Sequence, residues 1–341
     1  MARYAFAGAG WITAVHALAI DTLDDAKVVA VASRTAESAA ARVGQTGGRV
    51  VSYDELPADA DLVIVATPPR RHAVDALRAM ANGAAAVVEK PLCATLDDAD
   101  RLVRVVEAGG VLTYAENLLF SPAVERALAE IRTLGPLTHL STRAMQARPT
   151  WGSFTSRSWG GGVLFDLGVH PLAVVVRAAA PARPVAVWAA FERSPDIEVE
   201  DRASVHLRFD NGLVAQVEAS WREQEPLWDL QGASEDGVVY LGLLPEIVLE
   251  RSGEPVEIPV PPTGDAAPQL ASLGYVDQLR DAEAAWRVGR SSTVSDVYLG
   301  RDLLEIVCAA SVSAAEDSRE VDLPFDGARD RTPVELWDPD H

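Results

Sequence analysis

The sequence predicts two domains: an N-terminal α/β domain on a mainly parallel sheet, and a C-terminal α+β domain on a large open, mainly antiparallel sheet. Three observations point there. The chain has 341 residues, and at about 150 residues per domain that is room for two. From Ala2 to Tyr114, short apolar strands alternate with helical patterns, as right-handed crossovers over a parallel sheet require. Beyond Asn117 the pattern changes to successive strands separated by turn signals. The boundary is placed so that residues 1–118 form the first domain and 119–341 the second.

Element by element, Ala2–Ala7 is an apolar strand and Ile12 to about Thr22 a helix. Lys27–Ser33 is a buried strand, after which Thr35 caps a short helix. Leu62–Ala66 is a strand ended by Thr67-Pro68-Pro69, and a helix follows from His72 to Met80. Ala85–Glu89 is a strand broken by Lys90-Pro91. Thr95 and Asp98 resemble a capping box opening a helix to Ala108, before a last strand, Val111–Tyr114. Pro122–Leu134 reads as a connecting helix, Leu137–Ala147 as a strand, and 163–179 as a helix with a break to explain at Pro171. Ala203–Phe209 and Leu213–Trp221 flank Asp210-Asn211-Gly212, a strong hairpin signal. Val238–Leu241 and Ile247–Leu249 continue the sheet. Pro255–Pro268 is a proline-rich loop, Tyr275–Val288 and Asp296–Ala315 are helices, and an acidic tail follows Leu323.

Composition removes several function classes. Net charge is −20, which opposes attraction to nucleic acid or to an anionic membrane. Two cysteines exclude a disulfide scaffold and a cysteine-rich metal site. No apolar run reaches the roughly 20 residues that span a bilayer. The apolar N-terminus is interrupted by Gly8, Gly10, Thr13 and His16 and lacks a cleavage site, so a cytoplasmic protein is expected. No His/Asp/Glu cluster has metal-ligand spacing, so no metal is expected. Only two of the 30 basic residues are lysine, Lys27 and Lys90. In a chain that uses arginine almost everywhere, a retained lysine is either chance or a place where a compact ammonium serves and a planar guanidinium does not, and this makes Lys90 a candidate.

Gly8-Ala9-Gly10 lies directly after the first strand and opens a helix, the context in which a glycine-rich turn binds a dinucleotide. Gly8 allows the tight turn. Gly10 lets the backbone approach a pyrophosphate at the helix N-terminus, where Trp11 and Ile12 begin the helix. At the end of the second strand, Ser33-Arg34-Thr35 offers no carboxylate for a ribose hydroxyl, while Arg34 can meet a 2′-phosphate. NADP is favoured and NAD stays open.

Three segments then carry a family resemblance: Gly8-Ala9-Gly10 with His16; Thr67-Pro68 with His72 and Glu89-Lys90-Pro91; and the run from Gly160 through Asp166 to His170. In this order and spacing the chain resembles the Gfo/Idh/MocA oxidoreductases over about Tyr4 to Ala315. It departs from them with Thr13 at the third glycine and Pro171 after the histidine. The resemblance implies a Rossmann domain, an open-sheet substrate domain with the active site between them, and hydride transfer between a nicotinamide and a carbinol carbon, often of a sugar or cyclic polyol. By matching positions it makes Lys90 the active-site lysine and Asp166 and His170 the paired catalytic residues. It sets Asn117 near the nicotinamide, and Thr67, Pro68, His72 and Glu89 among the cofactor-binding residues.

The residues are apt for that chemistry. An imidazole's intrinsic acidity suits His170 to a proton-transfer role, and Asp166 four residues earlier can orient it. Lys90, at the C-terminal end of a parallel strand, can stabilise a developing alkoxide. Arg157, Trp159 and Trp151 crowd the glycine run, and with Tyr275 they are candidates for substrate binding. Two other activities stay open: glycoside cleavage or epimerisation by transient oxidation, and a non-catalytic nucleotide sensor. Apolar residues on both parities of Val185–Phe191 and of 213–215, together with the resemblance, point to a homodimer or homotetramer through the sheet.

Overall fold

The computed structural model describes residues 1–259 and 268–339, so most of the proline-rich loop, and His341, lie outside it. The chain divides into two compact units. The first gathers Met1–Cys93, Asp97–Ser121 and, later in the chain, residues 268–301. The second gathers Ala94–Leu96, Pro122–Pro259 and residues 302–339. The chain leaves the first unit after Ser121 and returns to it for the helices Pro268–Ser272 and Tyr275–Val288. Packing drives that return: Val276, Leu279 and Ala282 join the core built on Tyr4, Phe6, Ile64 and Val87. Each such large side chain contributes roughly 1.5–3 kcal/mol when fully buried. The helix's own amphipathicity does not say which sheet it covers.

The first unit holds strands β1 (Ala2–Ala7), β2 (Ala26–Ala32), β3 (Arg49–Val51), β4 (Leu62–Val65), β5 (Ala85–Glu89) and β6 (Leu112–Ala115). Their order is β3-β2-β1-β4-β5-β6, with every pair parallel. At three residues, β3 is too short to show a pattern in sequence. Chain order reverses between β1 and β4, so a crevice opens outside their C-terminal ends, where open α/β sheets bind ligands. Gly8 follows β1, Thr67 follows β4, and Glu89-Lys90 ends β5, all on this edge.

The second unit holds β7 (His139–Ala147), β8 (Pro184–Glu192), β9 (Arg202–Phe209), β10 (Val214–Ser220), β11 (Arg222–Ser234), β12 (Gly237–Leu244), β13 (Val248–Arg251), β14 (Glu254–Pro255) and β15 (Val321–Asp322). Their order is β14-β13-β12-β11-β7-β10-β9-β8-β15. All pairs are antiparallel except β7 with β10. The expected hairpin joins β9 and β10, with Gly212 at φ +88°. The long strand β11 is illegible in sequence because Glu223-Gln224-Glu225-Pro226 interrupts its alternation, and the register against β7 slips there. Helices Pro122–Ile131 and Val169–Ala179 pack on one face. The helical stretch Arg157–Ala179 has the length and apolarity to cross a membrane, and 89% of its most apolar window is buried within the protein.

Candidate functional site

The turn after β1 is built to receive an anion. Gly8 sits at φ +116°, and a Cβ there would lie 2.4 Å from the Ala66 carbonyl oxygen. The backbone of β4 thus passes too close for any side chain. A Cβ on Gly10, by contrast, would meet nothing within 4 Å. Gly10 caps helix Trp11–Ile20 with no side chain closing the helix N-terminus, leaving backbone N–H groups for a ligand. Thr13, in place of a third glycine, is fully buried and donates its hydroxyl to the Gly10 carbonyl at 2.7 Å, so the substitution braces the turn. Trp11 is 59% exposed beside it. These features fit the pyrophosphate of a dinucleotide. At the end of β2, Arg34 is exposed and Ser33 half-buried. The Thr35 hydroxyl accepts the Ser38 N–H, which engages it as the cap of helix Ala36–Thr46.

The loops after β4 and β5 are braced together. His72 is buried, with its ring nitrogens 2.9 Å from the Pro91 carbonyl oxygen and 2.6 Å from that of Thr67. Burial pushes its pKa down, although two acceptor carbonyls push the other way. The Thr67 hydroxyl donates to buried Asp75 at 2.9 Å, which Arg71 also grips. Both His72 and Thr67 are thus held by the protein itself. Lys90 follows, half-buried, before a cis bond to Pro91. Its N–H donates to the Glu89 carboxylate. Burial would raise the Glu89 pKa, but His16, 2.7 Å away, and the Lys90 charge hold it below the usual range. An ionised Glu89 gives the Lys90 ammonium a neighbouring counter-charge.

Tyr275, from the returning segment, and Asn117, just after β6, join this cluster. The Tyr275 ring stands edge-on to His16 at 6.1 Å. Burial, then the charges of Glu89 and Glu116, hold its phenol well above the usual pKa. Asn117 donates to the Leu273 carbonyl at 2.8 Å. Gly274, at φ +86°, fits against this turn: a Cβ would lie 2.1 Å from the Asn117 carbonyl oxygen.

In the second unit, Leu164–Gly168 forms one π-helical turn and Val169–Ala179 continues as α-helix. The break expected at Pro171 is this change of winding. Pro171 lies in the first α-turn, where a missing N–H costs nothing, and the wide turn falls just before it. Asp166 and His170 sit on these successive turns, both buried, with the His170 ring 5.5 Å from Trp228. Arg157 and Trp159 each have a partner within the second unit. Arg157 donates to the Asp338 carbonyl at 2.7 Å and pairs with its carboxylate, and Trp159 packs on Phe154 at 4.4 Å. Arg157 thereby helps seat the C-terminal segment. Trp151 is exposed.

Two functional supports were invisible in sequence. Buried Glu200 accepts the N–H groups of Gly162 and Leu164, closing the start of the turn that bears Asp166, and burial pushes its pKa up to about 7. Buried Arg42 reaches back to the Gly10 carbonyl at 3.0 Å. The only available signals were a Glu200-Asp201 pair before a strand and a lone arginine inside an alanine-rich helix. Among the described residues, no group of three His, Cys, Asp or Glu is placed to hold a metal.

A parallel sheet in this order with an open anion-receptive turn at its switch point defines a dinucleotide-binding protein. The family model for oxidoreductases with an NAD-binding Rossmann fold matches residues 2–116, and the GFO/IDH/MocA C-terminal domain model matches residues 125–232. The chain belongs to the Gfo/Idh/MocA family of NAD-binding oxidoreductases, and it is a dehydrogenase-class enzyme. It is 30% identical over 228 residues to the 1,5-anhydro-D-fructose reductase of Ensifer adhaerens, covering 63% of this chain and 68% of that protein. It is also 30% identical over 209 residues to an uncharacterized oxidoreductase of Rhizobium meliloti, of which it spans only 60%. Among solved structures it is similar to GenD2 from gentamicin A biosynthesis in complex with NAD. There the TM-score is 0.83 at 25% identity, over 94% of this chain and 96% of that one.

Proposed function

We propose that the protein transfers a hydride between a nicotinamide, with NADP favoured over NAD, and a carbinol or keto carbon of a sugar, sugar derivative or cyclitol. The observation that carries this is the grouping at one sheet edge of an open phosphate turn, Lys90 and its Glu89 counter-charge. The name of the Ensifer relative, a reductase of an anhydro-sugar, supports the substrate class. When bound, the nicotinamide supplies or accepts the hydride. In the oxidative direction, the His170 imidazole takes the hydroxyl proton, Asp166 orients and charge-balances that ring, and the Lys90 ammonium hydrogen-bonds the reacting oxygen. In reduction the same groups return the proton. A panel of sugars and polyols, followed by reduced-nicotinamide absorbance with both cofactors, tests this. Product formation without net cofactor turnover would favour transient oxidation instead.

Cofactor preference rests on Ser33-Arg34. Arg34→Asp should weaken NADP at least tenfold, about 1.4 kcal/mol, while leaving NAD within about threefold. Wild-type protein that binds NAD tenfold more tightly than NADP would refute the preference.

Assembly is part of the proposal: a homodimer, or a tetramer made by doubling it, through the outer face of the nine-stranded sheet. Support comes from groups that this face leaves partly covered: Trp188 stacked flat on His206 at 5.2 Å, and Arg143 gripping buried Asp229 beside a hollow of about 480 Å³. The burial of β9 and β10 alternates more regularly than the mixed parity of Val185–Phe191 implied. Light scattering at micromolar concentration should return a multiple of 36.3 kDa, and a clean monomer mass would defeat the proposal.

A further inference from the structure

We infer that Arg42 is the buried cation that serves the pyrophosphate of the bound dinucleotide, pinning the phosphate turn from beneath and supplying charge common to NAD and NADP. This builds on the NAD-binding assignment and not on the NADP preference. Arg42 lies in the second turn of helix Ala36–Thr46 and is 9% exposed. Its guanidinium donates to the Gly10 carbonyl and to the Gln45 side chain, and its Nε is buried without a hydrogen-bond partner. Among the described residues it makes no ion pair with any carboxylate, in a chain where most other buried or half-buried arginines have one. Burial pushes its pKa down for the same reason.

A buried cation without a counter-ion is costly to the fold alone, and it is retained where a ligand supplies the opposite charge. The carbonyl that Arg42 holds belongs to the residue that caps the open helix, and beside that residue a Cβ would meet nothing within 4 Å. The turn thus offers unclosed N–H groups and open space, and Arg42, bonded to its Gly10 carbonyl, adds a positive charge that no carboxylate balances. Arg34, eight residues earlier at the end of β2, is exposed and serves a different part of the nucleotide.

The test is titration of NAD and of NADP into full-length wild-type, Arg42→Met and Arg42→Lys proteins, with melting temperatures of the nucleotide-free forms. Arg42→Met should raise Kd for both nucleotides by the same factor, at least fivefold. Its nucleotide-free melting temperature should hold or rise, since the unpaired buried charge is gone. Arg42→Lys should recover most of the affinity. A loss confined to NADP would make Arg42 a 2′-phosphate ligand and overturn the inference. Unchanged Kd values, or a loss matched by a fall in melting temperature, would reduce it to a structural residue and overturn it as well. Because wild-type binding is the reference, failure here is distinguishable from a protein that binds no nucleotide at all.

Discussion

Replacing His170 by alanine should lower kcat by roughly a hundred- to ten-thousand-fold, the usual worth of a positioned general acid–base. Nucleotide Kd should stay within about twofold, because the phosphate turn and the Lys90 loop are held by hydrogen bonds in which His170 has no part. His170 is buried beside Trp228, so alanine also leaves a cavity. His170→Gln keeps most of the volume and should be nearly as slow, which separates chemistry from packing. Asp166→Asn and Lys90→Ala should each be strongly impaired. If Asp166 works through the imidazole, the Asp166→Asn/His170→Ala double variant should be little worse than His170→Ala alone. Lys90→Arg should not rescue, since a guanidinium cannot replace a compact ammonium. Near wild-type turnover by His170→Ala would remove that residue from the mechanism. Additive losses in the double variant would separate Asp166 from it.

What could be read from the sequence follows from the range of each interaction. The parallel sheet was legible because β1, β2, β4 and β5 are runs of buried apolar residues bounded by glycine, proline or caps, a purely local signal. The phosphate turn was legible because its glycines answer to local backbone demands. Strand β11 was not, since its ladder hydrogen bonds tolerate a polar, proline-containing stretch that carries no periodicity. The placement of helix Tyr275–Val288 was not either: its bounds match the pattern, but its partner is a core built on strands far earlier in the chain. The site divides the same way. Lys90, Asp166 and His170 belong to short motifs. Glu200 and Arg42 act through backbone groups of distant residues, so no spacing betrays them. Arg157 shows the converse: it stands out in sequence only as a lone arginine near a motif, while its tie to Asp338 is a long-range contact.

The two glycines of the phosphate turn should fail in opposite ways when each is changed to alanine. At Gly8 the added methyl would stand 2.4 Å from the Ala66 carbonyl oxygen and 2.7 Å from its carbon, both backbone atoms at the end of β4. Neither can rotate away, and parting β1 from β4 would break the ladder at the centre of the sheet. The backbone at φ +116° adds strain of about 1–3 kcal/mol for a residue with a Cβ. Overpacking adds about 1–3 kcal/mol more. Against a total stability of about 5–15 kcal/mol, Gly8→Ala should lower the nucleotide-free melting temperature by on the order of 10 °C or prevent folding. At Gly10, φ is −73° and the methyl meets open space, so Gly10→Ala should melt like wild type. That space is where the ligand's phosphates must approach the helix N-terminus, so nucleotide Kd should rise at least tenfold, about 1.4 kcal/mol. Melting curves without nucleotide and fluorescence titration with it measure the two effects separately. A Gly8→Ala protein with unaltered melting would contradict the close approach of β4. A Gly10→Ala protein that binds nucleotide normally would mean that the pyrophosphate does not lie on this turn.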